Sequence, residues 1–156
     1  MVIAWVYMQG KSERLLIFIE RYIEKNLTVP IIVEGTNDVR SLRWMSFSGT
    51  IIKMNQGKSL MALAEAISND FDEVIILTDF DNKGEKLCST MQGYLVSLGT
   101  RVDSRLRDFL NSSLPVKTVE EVPAAVERLA QIPPKARNII KAGKNARSFA
   151  DRRPGE

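Results

Sequence analysis

Short apolar runs alternate with segments of helical spacing along this chain, and that alternation restricts its fold more than any other feature. Ile31–Val33 and residues 50–54 and 74–77 are β-type runs, each continuously apolar or nearly so. Such runs are typical of strands buried on both faces. Apolar residues then recur at helical spacing after each run, over residues 36–45, 60–67 and 84–98. The pattern predicts a three-layer α/β fold, with a mostly parallel sheet of about four or five strands and helices on both faces.

Further elements precede and follow this alternating region. Residues 11–26 carry apolar side chains at helical spacing and predict an amphipathic helix. Later segments predict a short extended piece at 101–102, a helix through Leu106 and Leu110, a candidate strand at 116–119 and a last helix at 123–130. We therefore divide the chain into an N-terminal helical extension (1–28), an α/β domain (29–132) and a C-terminal tail (133–156).

The composition is typical of one cytoplasmic domain. The chain has 156 residues, 44% of them hydrophobic, which is enough for one core but short of two. Its single cysteine, Cys88, cannot form an internal disulfide, and the absence of histidine excludes zinc sites built from both residue types. No apolar run is long enough to cross a bilayer, and the opening segment does not resemble a signal peptide. Either Met1 or Met8 fits as the natural start.

Charge is distributed unevenly along the chain. Residues 1–134 hold 15 Lys and Arg against 17 Asp and Glu, whereas residues 135–156 hold 7 against 2. The basic tail has few large apolar residues to offset the entropy of ordering, so we expect it to be flexible or to form a helix only with a partner. It is either a phosphate-binding arm or a solubilising end.

Two of the predicted strands end in acidic residues. Glu34 follows the first strand, and Asp79 and Asp81 follow the third. Ligands of open parallel sheets gather at the carboxyl ends of the strands. If the strand order is 2-1-3-4, these two strands are neighbours and the three carboxylates converge.

Converging carboxylates need either protons or a cation. At about 5 Å apart, each pair repels by about 3 kcal/mol at an effective dielectric constant of about 20. Mg²⁺ prefers oxygen ligands and keeps waters for a substrate phosphate, so one or two direct carboxylates suit it, and Mn²⁺ is a substitute. The alternative is that Asp79 and Asp81 cap the next helix while Glu34 forms a surface ion pair.

The segments VEGTNDVRSL and LTDFDNKGEK, about 45 residues apart, resemble the two signature segments of the Toprim domain. That Rossmann-like domain is shared by bacterial primases, topoisomerases, OLD-type nucleases and the ribonucleases that mature 5S ribosomal RNA. The resemblance covers about residues 29–120 and is strongest to small archaeal Toprim proteins. It implies that Glu34 is the general acid or base and sometimes a metal ligand, and that Asp79 and Asp81 bind the metal. Asp38 matches a further acidic position of the primase and ribonuclease branches.

Other residues near the predicted site have two interpretations each. Gly35 and Gly84 either allow close approach of a ligand or form ordinary turns. Five cations either contact substrate phosphates or lie on solvated surfaces: Arg40, Arg43, Lys58, Lys83 and Lys86.

Taken together, the sequence predicts Mg²⁺-dependent phosphoryl transfer on nucleic acid, with phosphodiester hydrolysis as the reaction. The alternative is a non-catalytic nucleic-acid-binding or scaffold subunit of a larger complex. RNA and DNA remain equal candidates for the substrate, and a protein partner or a homodimer is compatible with either function.

Overall fold

A computed structural model describes residues 11–130, and its centre is a parallel sheet of four strands. The strands are β1 (Ile31–Val33), β2 (Ile51–Lys53), β3 (Glu73–Ile76) and β4 (Arg101–Asp103). Their order across the sheet is β2-β1-β3-β4, which is the order under which the three carboxylates are expected to converge. Ile31 is paired with Ile51 on one side and with Ile75 on the other, so β1 and β3 are neighbours whose carboxyl ends share one edge.

Six α-helices precede, connect and follow the strands in the described part of the chain. They are α1 (Lys11–Lys25), α2 (Thr36–Trp44), α3 (Leu60–Asp70), α4 (Asn82–Ser97), α5 (Arg105–Ser113) and α6 (Val122–Ala130). Ser59 caps the start of α3: its hydroxyl oxygen accepts the backbone N–H of Ala62. Helix α4 is followed by Gly99 at a φ of 88°, the conformation in which glycine commonly closes a helix.

The sheet separates two hydrophobic clusters, as the predicted three-layer fold requires. Ile31 and Val33 point into a cluster formed with α1, α2, α5 and α6. Ile32 points to the other face, where it packs with residues of α3 and α4. Alternate residues of one short strand therefore enter both clusters, which explains why the run is continuously apolar.

Helix α1 is part of the first cluster. Its residues Leu15, Ile19 and Tyr22 are buried there, and the hydroxyl of Ser12 donates to the backbone oxygen of Leu129 near the end of α6, at 3.0 Å. The sequence predicted this helix but assigned it to an N-terminal extension. In the structure it shares a core with the α/β domain.

One predicted element is wrong. Residues 116–119 do not form a strand; a 3₁₀ helix, Val119–Glu121, occupies the end of this segment. The side chain of Glu121 accepts the backbone N–H groups of Lys117 and Thr118, at 2.7 and 3.0 Å. These local hydrogen bonds satisfy donors that a strand would have given to a neighbour.

Within residues 11–130, no helix is long and apolar enough to span a membrane. Residues 1–10 and the basic tail lie outside the described residues.

Candidate active site

Glu34 and Asp79 meet at the carboxyl edge of the sheet. Glu34 directly follows β1, and the ladder between the strands continues beyond β3 through the N–H of Leu77, which donates to the oxygen of Ile32 at 2.8 Å. Two residues later, the backbone N–H of Asp79 donates to Oε1 of Glu34 at 3.1 Å. Parallel pairing of β1 and β3 therefore brings the two signature segments into direct contact.

Asp79 is held from three directions. Its N–H is bound by Glu34, its backbone oxygen accepts from Arg107 Nη2 at 2.8 Å, and its Oδ1 accepts the N–H of Val119 at 2.8 Å. The next residue, Phe80, donates its N–H to the oxygen of Lys117 at 2.8 Å. The segment before the 3₁₀ helix thus lies against the acidic loop, and Asp79 Oδ2 remains without a hydrogen bond inside the described range.

Asp81 is the N-cap of α4. Its Oδ1 accepts the N–H of Gly84 at 2.7 Å, which stabilises the start of the helix. The capping interpretation from the sequence is therefore confirmed for Asp81. It does not hold for Asp79, whose carboxylate accepts from Val119 instead.

Asp38 performs a similar role at the start of α2. It is 5% exposed, and its Oδ2 accepts the N–H of Gly35 at 3.0 Å. Burial raises the pKa of Asp38, and the charge of Asp79 raises it further. Asp38 thus lies beside the acidic edge while it fixes the backbone that follows Glu34.

Negative charge is concentrated at this edge. Burial raises the pKa of Glu34, and the neighbouring Asp79 carboxylate adds to the increase. Burial likewise raises the pKa of Asp79, with further contributions from Asp81 and Glu120. The ammonium group of Lys83 opposes both increases. The carboxylates are therefore only partly compensated by charges of the chain.

The three predicted metal ligands do not form a ready-made cluster. Among residues 11–130, no group of three or more His, Cys, Asp or Glu side chains is arranged to hold a metal ion. Glu34, Asp79 and Asp81 each commit one carboxylate oxygen to a backbone N–H. The second oxygen of each has no hydrogen-bond partner in the described structure. An oxygen-only donor set of this kind fits Mg²⁺, which needs one or two carboxylates and keeps most of its waters.

The predicted phosphate-binding cations are distributed over different parts of the surface. Lys83 is exposed and close enough to act on the charges of Glu34 and Asp79. Lys86 and Lys58 are also exposed, the first on α4 and the second in the loop after β2. None of these placements tests a phosphate contact.

Two arginines of α2 differ in position. Arg40 is exposed and approaches Asn37 at 3.4 Å. Arg43, in the last turn, donates to the backbone oxygens of Phe47 and Gly49 at 2.9 and 2.8 Å. Those oxygens belong to the loop that leads into β2, at the sheet edge opposite the acids, so Arg43 does not join the acidic edge.

The two glycines also differ. A Cβ on Gly84 would lie 1.9 Å from the backbone oxygen of Asp79, so the acidic loop and α4 approach each other too closely for any side chain. At Gly35 a Cβ would meet nothing within 4 Å. Gly84 is therefore required by packing within the chain.

Several residues at this edge were missed from the sequence. They are Lys53, which donates to Thr36 at 3.3 Å, Glu120, which acts on the charge of Asp79, and the buried pair Thr78 and Arg107. Lys53 ends a strand that reaches the same edge, which was a usable signal. Arg107 lies on a helix far along the chain, and no local pattern connects it with Asp79.

Comparison with known proteins supports the assignment of the two signature segments to a Toprim domain. The family model for that domain matches residues 29–104. A UPF0292 protein of Thermoplasma volcanium is 52% identical over 108 residues, which are 69% of this chain and 91% of the relative. A UPF0292 protein of Pyrococcus horikoshii is 38% identical over 96 residues, 59% of this chain and 70% of the relative. A solved structure of a protein from Aquifex aeolicus is 29% identical with a TM-score of 0.60, and the match covers 66% of this chain and 93% of that one.

Proposed function

This chain belongs to the UPF0292 family and contains a Toprim domain, and from that premise we propose that it hydrolyses phosphodiester bonds of nucleic acids with Mg²⁺. A Toprim domain implies metal-dependent, nucleic-acid-related activity in general, and such domains generally bind Mg²⁺. The narrower proposal of hydrolysis is supported by the contact of Glu34 with Asp79 across two neighbouring strands. A carboxylate beside a metal-binding aspartate is suited to proton transfer during hydrolysis.

Asp79 and Asp81 are the residues that would hold Mg²⁺ through their uncommitted oxygens, with Glu34 as a further candidate ligand. When bound, the cation supplies positive charge that stabilises negative charge on a phosphate. The chain itself supplies rigidity: one oxygen of Asp79 and one of Asp81 are fixed by the N–H groups of Val119 and Gly84. Mn²⁺ should replace Mg²⁺, since both prefer oxygen ligands.

Glu34 would act as the general acid or base. Its Oε1 is held by the N–H of Asp79, which orients the carboxylate and leaves Oε2 for a proton. Lys83, the exposed cation whose charge acts on both acids, would contact a substrate phosphate. RNA and DNA are both candidate substrates.

The deciding experiment is cleavage of a panel of single- and double-stranded RNA and DNA by the purified chain with and without Mg²⁺. We expect cleavage that depends on Mg²⁺ and disappears in Asp79→Ala. Arg43→Gln is the matched control because Arg43 lies away from the acidic edge. Tight binding without cleavage would contradict the proposal and favour a non-catalytic nucleic-acid-binding subunit.

Metal binding is tested separately from turnover. Mg²⁺ or Mn²⁺ should raise the melting temperature, because a ligand that binds only the folded state stabilises it. The double variant Asp79→Asn, Asp81→Asn should lose this response. A wild-type protein without any metal-dependent shift in melting temperature or in NMR signals near the three acids would contradict the metal site.

The role of Glu34 is tested by Glu34→Gln, which keeps the shape and one oxygen but removes the proton-transfer group. Turnover should fall more than Mg²⁺ affinity does. Equal losses of both would identify Glu34 as a metal ligand instead.

A further inference from the structure

A buried arginine lies beneath the acidic loop. Arg107 of α5 is 3% exposed, and its guanidinium donates to three acceptors: Thr78 Oγ1 at 3.0 Å, Asp79 O at 2.8 Å and Glu85 Oε2 at 2.7 Å. Burying a cation is costly unless hydrogen bonds and charge satisfy it. The planar guanidinium has donors in fixed directions, so it holds its acceptors in a defined geometry.

A hydrogen-bonded chain extends from this arginine to the second aspartate. Thr78 is fully buried, accepts from Arg107 and donates its hydroxyl to the backbone oxygen of Gly84 at 2.8 Å. The N–H of Gly84 in turn binds Asp81 Oδ1. Arg107 therefore reaches Asp79 directly and Asp81 through Thr78 and Gly84.

The arginine acts on the backbone of the loop. The carboxylates of Asp79 and Asp81 accept no hydrogen bond from Arg107. The ion-pair partner of Arg107 is Glu85. The guanidinium therefore leaves the acidic oxygens available to a cation. Lys83 differs, since its charge acts on the carboxylate of Asp79.

We propose that Arg107, together with Thr78, is a positioning residue that sets the spacing of the Asp79 and Asp81 carboxylates for a divalent cation. This proposal rests on the proposed function in one respect: the cation is the Mg²⁺ assigned there to Asp79 and Asp81. Groups that orient metal ligands commonly change metal affinity by about 10- to 100-fold when they are removed. Arg107 contacts no reacting atom in this arrangement; it acts through the loop.

The first test measures Mg²⁺ affinity by calorimetry in Arg107→Lys and in two variants of Thr78. Arg107→Lys should weaken binding about 10- to 100-fold, because one ammonium group does not reproduce the fork that joins Thr78 to Asp79. Thr78→Val should weaken binding as well, whereas Thr78→Ser, which keeps the hydroxyl, should restore wild-type affinity.

The controls separate positioning from general loss of stability. Tyr22→Phe removes a buried hydrogen bond to Asp103 away from the loop, so it should lower stability without changing Mg²⁺ affinity. Glu85→Gln should change Mg²⁺ affinity little, because the amide oxygen still accepts from Arg107. The bonds from Arg107 to Thr78 and Asp79 are also kept. Wild-type affinity in both Arg107→Lys and Thr78→Val would overturn the proposal.

A second measurement works without metal. The N–H groups of Gly84 and Val119 each bind one aspartate carboxylate, and their hydrogen exchange reports the geometry of those bonds. In Arg107→Lys both amides should exchange faster, while amides of β1 should keep their protection. If the wild type fails to bind Mg²⁺, the proposed metal site is wrong, and unchanged exchange at both amides would still overturn the positioning role on its own.

Discussion

Asp103 is a buried carboxylate that the side chains of three residues hold in its charged form. Lys25, Tyr22 and Arg105 donate to it at 2.7, 2.8 and 3.0 Å. Burial alone would raise the pKa of Asp103, but the hydrogen bonds from Arg105, Lys25 and Tyr22 outweigh it and lower the pKa well below its ordinary value. Charged Asp103 therefore stabilises the folded state.

Asp103→Asn should lower the free energy of unfolding by about 2 kcal/mol at pH 7. The loss should stay below the roughly 3 to 5 kcal/mol typical of fully buried pairs, because Lys25 and Arg105 remain partly in solvent. Because the folded pKa is depressed, the contribution is present above the unfolded pKa of about 3.9 and is lost as pH falls further. Urea denaturation at pH 7 and pH 3 measures this difference. If the free energies of unfolding of variant and wild type differ as much at pH 3 as at pH 7, the prediction is wrong.

Gly84→Ala should destabilise the protein by about 1 to 3 kcal/mol, the usual cost of forcing an extra carbon into a packed region. The new Cβ would collide with the backbone oxygen of Asp79, so Mg²⁺ affinity should fall too. Gly35→Ala is the matched control, because its Cβ enters open space and its φ of −152° is available to any residue. Thermal denaturation of both variants decides the matter; equal melting temperatures would disprove the steric requirement at Gly84.

The acidic residues of the site were predictable because Glu34 directly follows β1, Asp79 and Asp81 lie in the loop after β3, and parallel strands bring their carboxyl ends together. Their individual hydrogen bonds were not. That Asp81 caps α4 while Asp79 accepts from Val119 depends on backbone directions that spacing does not encode. Arg107 was invisible for a related reason, since 28 residues separate it from the oxygen it binds.

At the level of elements, α1 behaves as part of the domain core. Leu15 is 1% exposed, whereas Ile17 on the same helix is 37% exposed. Leu15→Ala should cost about 2 to 5 kcal/mol, as large-to-small changes in cores do, and Ile17→Ala should cost under about 1 kcal/mol. Chemical denaturation measures both; a small effect at Leu15 would contradict a core role for α1.

Most helices and strands were predicted because their apolar periodicity agrees with their tertiary environment. The segment 116–119 shows where that agreement ends. Two valines and a threonine in four residues favour a strand locally. In the structure the N–H of Val119 goes to Asp79 and those of Lys117 and Thr118 go to Glu121. The local β propensity is therefore not realised, because the carboxylates of Asp79 and Glu121 bind the backbone N–H groups that a strand would use.

Over the whole molecule, acidic and basic residues are distributed unevenly along the sequence. Residues 1–134 have a net charge of −2, and residues 135–156 have a net charge of +5. A nucleic acid approaching the acidic edge meets repulsion unless a cation or a basic segment compensates it. The two parts are therefore expected to make different contributions to binding.

The basic tail should contribute affinity for nucleic acid and little specificity, because its cations neutralise phosphates but offer few groups that read bases. Each phosphate contact contributes about 0.7 to 0.9 to the slope of log K against log salt. If the tail makes three or four contacts, a truncation ending at Gln131 should reduce the slope by about 2 to 4. A full-length variant with the tail cations changed to glutamine controls for chain length. The three proteins are titrated with one oligonucleotide at several salt concentrations. Equal slopes and affinities would show that the tail is a solubilising end, and that the phosphate contacts are made by Lys83 and the other cations near the acidic edge.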